Sequence, residues 1–186
     1  KGLNIPISGS PEGTVSDSTK ISHVGILGPD YIGMKPTMMV EVGDQVKIGS
    51  VLFEDKKNPG VFFTSPAGGL IKSINRGEKR RFISIEIEVA DQENQVEILN
   101  DSDEILHRNL SKYGIINNFR TRPFNKTPKP NDIPNDIFVN VCDTNPLSVD
   151  PYIYLQHEID LFNRSLIKLK EIFNCNIHVC YQNNDF

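Results

Sequence analysis

The sequence predicts an α+β protein, with an all-β barrel or sandwich over residues 1–100 and the start of a Rossmann-like α/β domain over 137–186. Three observations carry this prediction. Short apolar or alternating runs recur through the first hundred residues with Gly, Asp, Asn and Pro between them. A Pro-rich stretch, TRPFNKTPKPNDIPND (121–136), closes a segment 101–136 that reads as one helix and a linker. Beyond it lie two β-branched runs separated by a long helical pattern, the signature of a βαβ unit.

The β-runs are VGILG (24–28), TMMVEV (37–42), VLFED (51–55), VFFTS (61–65), GLIKSI (69–74) and FISIEIEV (82–89). In the last, Ile83, Ile85, Ile87 and Val89 alternate with Ser84, Glu86 and Glu88, which predicts one buried and one wet face. Shifting Val42-Gly43-Asp44 by 34 residues onto Arg76-Gly77-Glu78 also superposes Val51 and Phe53 on Ile85 and Ile87, a weak internal repeat of two β-halves. The pattern V-x-V-G-D-x-V-x-x-G-x-x-L (Val40–Leu52), closed by Ser65-Pro66-Ala67-Gly68-Gly69, resembles the barrel-sandwich hybrid fold of biotinyl and lipoyl domains. There Gly43-Asp44 is expected to form a tight turn in which glycine supplies a positive φ.

Such domains present a modified lysine at a hairpin tip, and Asp55-Lys56-Lys57 occupies a comparable place. Asn58-Pro59-Gly60 lengthens and stiffens that loop, so it reads as an unmodified structural hairpin; a stand-alone carrier is the alternative. A second tip, Arg76-Gly77-Glu78-Lys79-Arg80-Arg81, is either a solvated basic turn or a docking surface for an acidic partner.

In the second half, Ser102 is placed to cap a short helix with Ile105, Leu106, Leu110 and Tyr113 on its apolar stripe and Gly114 at its end. IFVNVC (137–142) and IHVCY (177–181) read as parallel strands. Asp150 and Pro151 open a long helix whose apolar positions are Leu155, Ile159, Phe162, Leu166, Leu169 and Phe173. The turn Asp143-Thr144-Asn145 follows the first strand, where open α/β sheets place ligands, and is either a ligand turn or a cap. Phe119-Arg120-Thr121-Arg122-Pro123-Phe124 interleaves aromatics with guanidiniums, a combination able to stack on a planar ring, bind phosphate or an acidic partner, or form a plain surface arm.

A net charge of −4 gives no support to nucleic acid as a partner. The glycine loops that cradle dinucleotides or phosphates are missing, which weighs against a flavin- or NADH-binding dehydrogenase. Cys142, Cys175 and Cys180 have no zinc-ligand spacing, and Cys142 and Cys180, sitting in apolar runs, are expected to be buried thiols in a reducing compartment. The four histidines show no ligand spacing, and no catalytic constellation or metal site stands out. No apolar run reaches the roughly 20 residues of a membrane span. The chain begins KGLNIPISG, without methionine, which reads as a trimmed start.

Taken together, KGLNIPISG (1–9), YIGMKPTMMVEVGD (31–44), VLFEDKKNPGVFFTSPAGG (51–69), NRGEKR (75–80), FRTRPFNK (119–126) and DTNPLSVDP (143–151) resemble the A subunits of the bacterial sodium-translocating NADH:quinone oxidoreductases. The C subunit of Rnf-type complexes and the flavin-bearing NADH subunit of complex I would be more distant relatives. The resemblance implies a peripheral component on the cytoplasmic face of the bacterial inner membrane, covering under half of the family's full length and ending inside its α/β domain. It implies no covalent cofactor in this chain, with NADH, FAD and sodium handled by other subunits and ubiquinone as the substrate of the complex. The implied partners are the other subunits, above all the integral membrane quinone-handling one. Two segments are linked by it to quinone, and they correspond to Leu27, Tyr31, Gly33 and Met34 and to Phe119, Arg120, Arg122, Phe124 and Lys126. Pro29 departs from the acidic residue expected before Tyr31.

Overall fold

The computed structural model describes residues 6–9, 11–15, 19–90, 95–96, 107–143 and 145–181. They form two compact units, one of Lys20–Asp132 and one of Lys1–Thr19 with Ile133–Phe186.

The first unit is a barrel-sandwich hybrid of two antiparallel sheets. One sheet has the order β1 (His23–Leu27), β7 (Phe82–Val89), β6 (Gly69–Arg76) and β3 (Gln45–Val46). The other has the order β2 (Pro36–Met38), β4 (Val51–Asp55) and β5 (Phe62–Thr64). Register places Val24 opposite Ile87, Ile26 opposite Ile85 and Ile71 opposite Ile87, so the apolar residues of three strands share one face. Leu52, Phe53, Val61, Ile71, Ile85 and Ile87 are fully buried there. Each such side chain contributes roughly 1.5–3 kcal/mol by leaving water.

The alternation predicted for 82–89 holds at Ile85 and Ile87 and fails at its start. Pairing slips between Asn75 and Arg76, and Phe82 turns into the core while Ile83 stays 39% exposed. One extra residue in a strand flips the faces that follow, which a period of two cannot anticipate. The internal repeat does not extend to its turns. Gly43 has φ 98°, as its turn requires, whereas Gly77 has φ −96° and the left-handed residues of the second tip are Lys79 and Arg80.

Segment 107–132 packs on the β-sheets. Helix α1 (His107–Lys112) ends at Gly114, whose φ is 73°, and a 3-10 turn Ile115–Asn118 follows. The predicted N-terminal half of this helix, Ser102 through Leu106, lies outside the described residues. Ile116 enters the core cluster, and Asn58 Nδ2 donates to the Pro128 carbonyl, tying the crossing segment to the β4–β5 hairpin.

The second unit is α/β. Strands β8 (Asp136–Asn140) and β9 (Asn176–Cys180) are parallel, with Ile137 opposite Ile177 and Val139 opposite Val179. Between them the helical pattern divides into α2 (Tyr152–Leu155) and α3 (Ile159–Phe173), because Glu158 leaves helical geometry at φ −125°, ψ 19°. Asp150 caps α2 by accepting from the Tyr152 N–H at 2.9 Å. Ile159, Phe162 and Leu166 line a groove with Val179, which puts that face of β9 toward α3.

Alternation along β9 then corrects the cysteine reading. Cys180 shares the outward face with Asn176 and His178 and is exposed, Cys142 is half-buried, and Cys175 is the buried thiol. Burial pushes the Cys175 thiol up, and the nearby Asp136 carboxylate adds to it. Treating both apolar runs as strands covered on two faces caused the error.

Asp136 accepts from Asn176 Nδ2 at 3.2 Å and lies 2.7 Å from His178 Nε2. The hydrogen bond with His178, then that from Asn176, holds its carboxyl below the ordinary value. A depressed folded-state pKa contributes stability above the unfolded carboxylate pKa of about 4, lost as pH falls through the lower folded value. The Asp136→Asn variant is therefore expected to lose less thermal stability between neutral and acidic pH than the parent. Identical pH profiles for the two proteins would remove the linkage.

Candidate functional site

The candidate site is a cleft on the β-unit between β1, the turn that follows it and the 3-10 turn Ile115–Asn118. It has a volume of about 330 Å³ and is lined by Leu27, Asp30, Tyr31, Phe63, Thr64 and Asn117 among others.

Local sequence builds its first wall. After β1 the chain makes a 3-10 turn Gly28–Asp30, where Pro29 sits at the start and presets φ. Gly28 is required there, since a Cβ would lie 2.5 Å from the Phe82 carbonyl oxygen. The Tyr31 N–H donates to Gly28 O and the Met34 N–H to Tyr31 O, each at 3.2 Å. Tyr31 is thereby set edge-on to Phe63, with ring centroids 4.7 Å apart and planes at 86°. Phe63 itself stacks on Phe53 in the core at 4.5 Å, so the Tyr31 ring rests on a rigid base.

The second wall is Gly114, Asn117 and Asn118, and Arg120, which follows them, lies beside Tyr31 without lining the cleft. Its guanidinium donates to the carbonyls of Asn117 and Phe119 and lies 5.0 Å from the Tyr31 ring centroid, within cation–π range. Tyr31 and Arg120 lie in segments far apart in the chain, and the fold brings them together. Gly114 permits the approach of the second segment, because a Cβ there would lie 2.6 Å from Thr64 Oγ1.

Asn117 is the residue sequence reasoning missed. It is buried, its Nδ2 donates to the Phe62 carbonyl at 2.7 Å, and its Oδ1 has no partner among the described residues. A buried acceptor without a donor costs about 1–3 kcal/mol. An asparagine between two isoleucines and a phenylalanine (Ile115, Ile116, Phe119) was the available signal, since a polar residue in an apolar stretch is buried for a reason.

The other predicted residues are distributed as follows. Leu27 lies at the rim, 51% exposed, and Met34 packs against the core. Gly33 has φ 80° with open space where a side chain would be. Phe119 is half-buried and ends the 3-10 turn. Of the predicted residues only Leu27 and Tyr31 line the cleft; Gly33, Met34, Phe119, Arg120, Arg122, Phe124 and Lys126 do not. Thr121 and Lys126 form an antiparallel bridge, with the Thr121 N–H donating to Lys126 O at 2.7 Å, and residues 122–125 become an exposed tip. Phe124 is 72% exposed there, with the Lys126 ammonium 5.9 Å from its ring.

In the α/β unit, Asp143 Oδ1 accepts from the Asn145 N–H and Nδ2 at 2.9 and 2.6 Å, and Ser148 Oγ donates to Asp143 O. These hydrogen bonds hold the turn. Thr144 lies outside the described residues. No group of His, Cys, Asp and Glu able to hold a metal occurs among the described residues, and none of their helices is long and apolar enough to cross a membrane.

Residues 1–90 match the NqrA N-terminal barrel-sandwich hybrid domain, and residues 101–186 match the NqrA second alpha/beta domain. The chain belongs to the NqrA family. It is 46% identical over 188 residues to the NqrA protein of Yersinia pseudotuberculosis, a component of the Na(+)-translocating NADH-quinone reductase. It is 47% identical over 187 residues to the corresponding protein from Neisseria meningitidis serogroup B, and 44% to that of Pasteurella multocida. These matches cover 97% of the chain and 42% of each relative. The cleft lies wholly in the first NqrA unit and draws on both matched regions, since Gly114, Asn117 and Asn118 follow residue 101.

Proposed function

We propose that this NqrA chain is part of a peripheral component, on the cytoplasmic face of the membrane, of a redox-driven sodium pump passing electrons from NADH to ubiquinone. Its cleft at Tyr31 engages the quinone, while NADH, FAD and sodium are handled by other subunits. The integral membrane quinone-handling subunit is the principal partner. The observation that carries this reading is Arg120 held 5.0 Å over Tyr31, which joins the two segments that the family resemblance links to quinone. The chemistry suits a quinone ring. Tyr31 and Phe63 offer aromatic surface in the cleft, and the Tyr31 hydroxyl and the Arg120 guanidinium beside it are donors suited to carbonyls.

The test is photoreactive quinone labelling of the assembled complex followed by peptide mapping. Label is expected within 27–34 and 117–122. Arg120→Ala should reduce it about tenfold, the factor carried by one charge-assisted hydrogen bond of about 1.4 kcal/mol. Label confined to other subunits, or unchanged in the variant, defeats the reading.

A further inference from the structure

We infer that the β4–β5 hairpin tip is one wall of a second binding site, for a phosphate-bearing small molecule, distinct from the Tyr31 cleft. A cleft of about 660 Å³ lies between Lys57, Pro59 and Phe62 on the hairpin side and Lys112, Lys129 and Pro130 on the other. That volume is within the range of small-molecule sites.

The hairpin is fixed in place rather than swinging. Buried Asp55 accepts from the Lys35 and Lys57 N–H groups at 3.0 Å each, and Glu54 accepts from the Gly60 N–H at 2.7 Å. Gly60, at φ 87°, leaves 3.3 Å between a hypothetical Cβ and Pro130, and Asn58 Nδ2 donates to the Pro128 carbonyl. Opposite, Asp132 accepts from the Lys129 N–H at 2.8 Å. Three carboxylates thus each commit an oxygen to a backbone amide, and both walls are preorganised.

The ammonium groups are not committed in this way. Lys57, Lys112 and Lys129 line one cleft together with Asp132 and form no salt bridge among the described residues, although the Lys112 ammonium lies 5.6 Å from the Tyr113 ring, in a chain of net charge −4. Three lysines against the one Asp132 carboxylate leave the lining net positive, which favours an anion, and lysine binds phosphate as a point charge. Pro59, Pro130 and Phe62 give the same cavity an apolar surface for the remainder of the ligand. The site does not depend on quinone binding.

Calorimetric titration of the purified full-length protein at low ionic strength, with inorganic pyrophosphate and with ADP as probes, tests the inference. Saturable binding that weakens with salt is expected for both. Tighter binding of ADP assigns a role to the apolar surface, and equal binding assigns recognition to the phosphates alone; either supports the site. Lys57→Gln, Lys112→Gln and Lys129→Gln should each weaken binding about twofold to fivefold, as exposed ion pairs do, and the triple variant more than tenfold. All three side chains are exposed, so an unchanged thermal midpoint is expected, and Lys79→Gln at the other basic tip serves as the unaffected control. Absence of saturable binding, or a triple variant that binds like the parent, overturns the inference. So do cross-links from Lys57 and Lys129 to an acidic segment of another protein of the complex without phosphate binding, which would assign the surface to a protein contact.

Discussion

Phe53→Ala is expected to destabilise the β-unit by about 3–5 kcal/mol, the loss typical of a buried phenylalanine cut back to alanine. Phe53 is fully buried, stacks on Phe63 at 4.5 Å and meets Phe82 edge-on at 5.2 Å. Its removal opens a cavity between the two sheets and withdraws the support beneath the ring on which Tyr31 rests. Both consequences are measurable: a lower midpoint in urea denaturation, and weaker quinone labelling at 27–34 in whatever fraction stays folded. A loss under about 1 kcal/mol would mean that the two sheets do not share this core.

Gly69→Ala should be nearly as damaging, about 3 kcal/mol, and for a different reason. A Cβ at Gly69 would lie 2.0 Å from the Glu88 carbonyl oxygen and 2.9 Å from its carbon, and both atoms are backbone. Neither can rotate away, so β6 and β7 must part at the Gly69–Val89 pair. Overpacking costs of this kind run to about 3 kcal/mol and more where the backbone has to move. The effect should appear as lost urea stability together with faster amide exchange at Ala90, whose N–H donates to Gly68 O, and at Val46 in the neighbouring strand. Unchanged exchange at those two amides would show that the strands do not pack as closely as described.

The two variants separate what is legible in a sequence from what is not. Ile85 could be assigned to the core beforehand because it repeats with strand period, and Phe53 because it lies in a short apolar run, although Leu52 beside it is buried as well. The need for glycine at 69 could not, because it arises from the carbonyl of Glu88 on the next strand. The candidate site divides in the same way. FRTRPFNK offered Arg120 and Arg122 as equivalents, and the Thr121–Lys126 bridge distinguishes them by turning 122–125 outward while Arg120 stays bonded to the carbonyls beside Tyr31. Asn117 was passed over because the carbonyl that holds its side chain, that of Phe62, is 55 residues away in the chain.

DKKNPG shows both sides of the division within one short stretch. Its composition alone determined a hairpin stiffened by Asn58-Pro59-Gly60, because proline fixes φ and glycine accepts the positive φ that ends the turn. Local backbone preference is encoded locally. The tertiary structure decided that Asp55 turns inward to hold two amides, and that Lys57 meets Lys112 and Lys129 across a cleft. Those placements depend on segments distant in the chain, and long-range packing and charge clustering have no local signature to read.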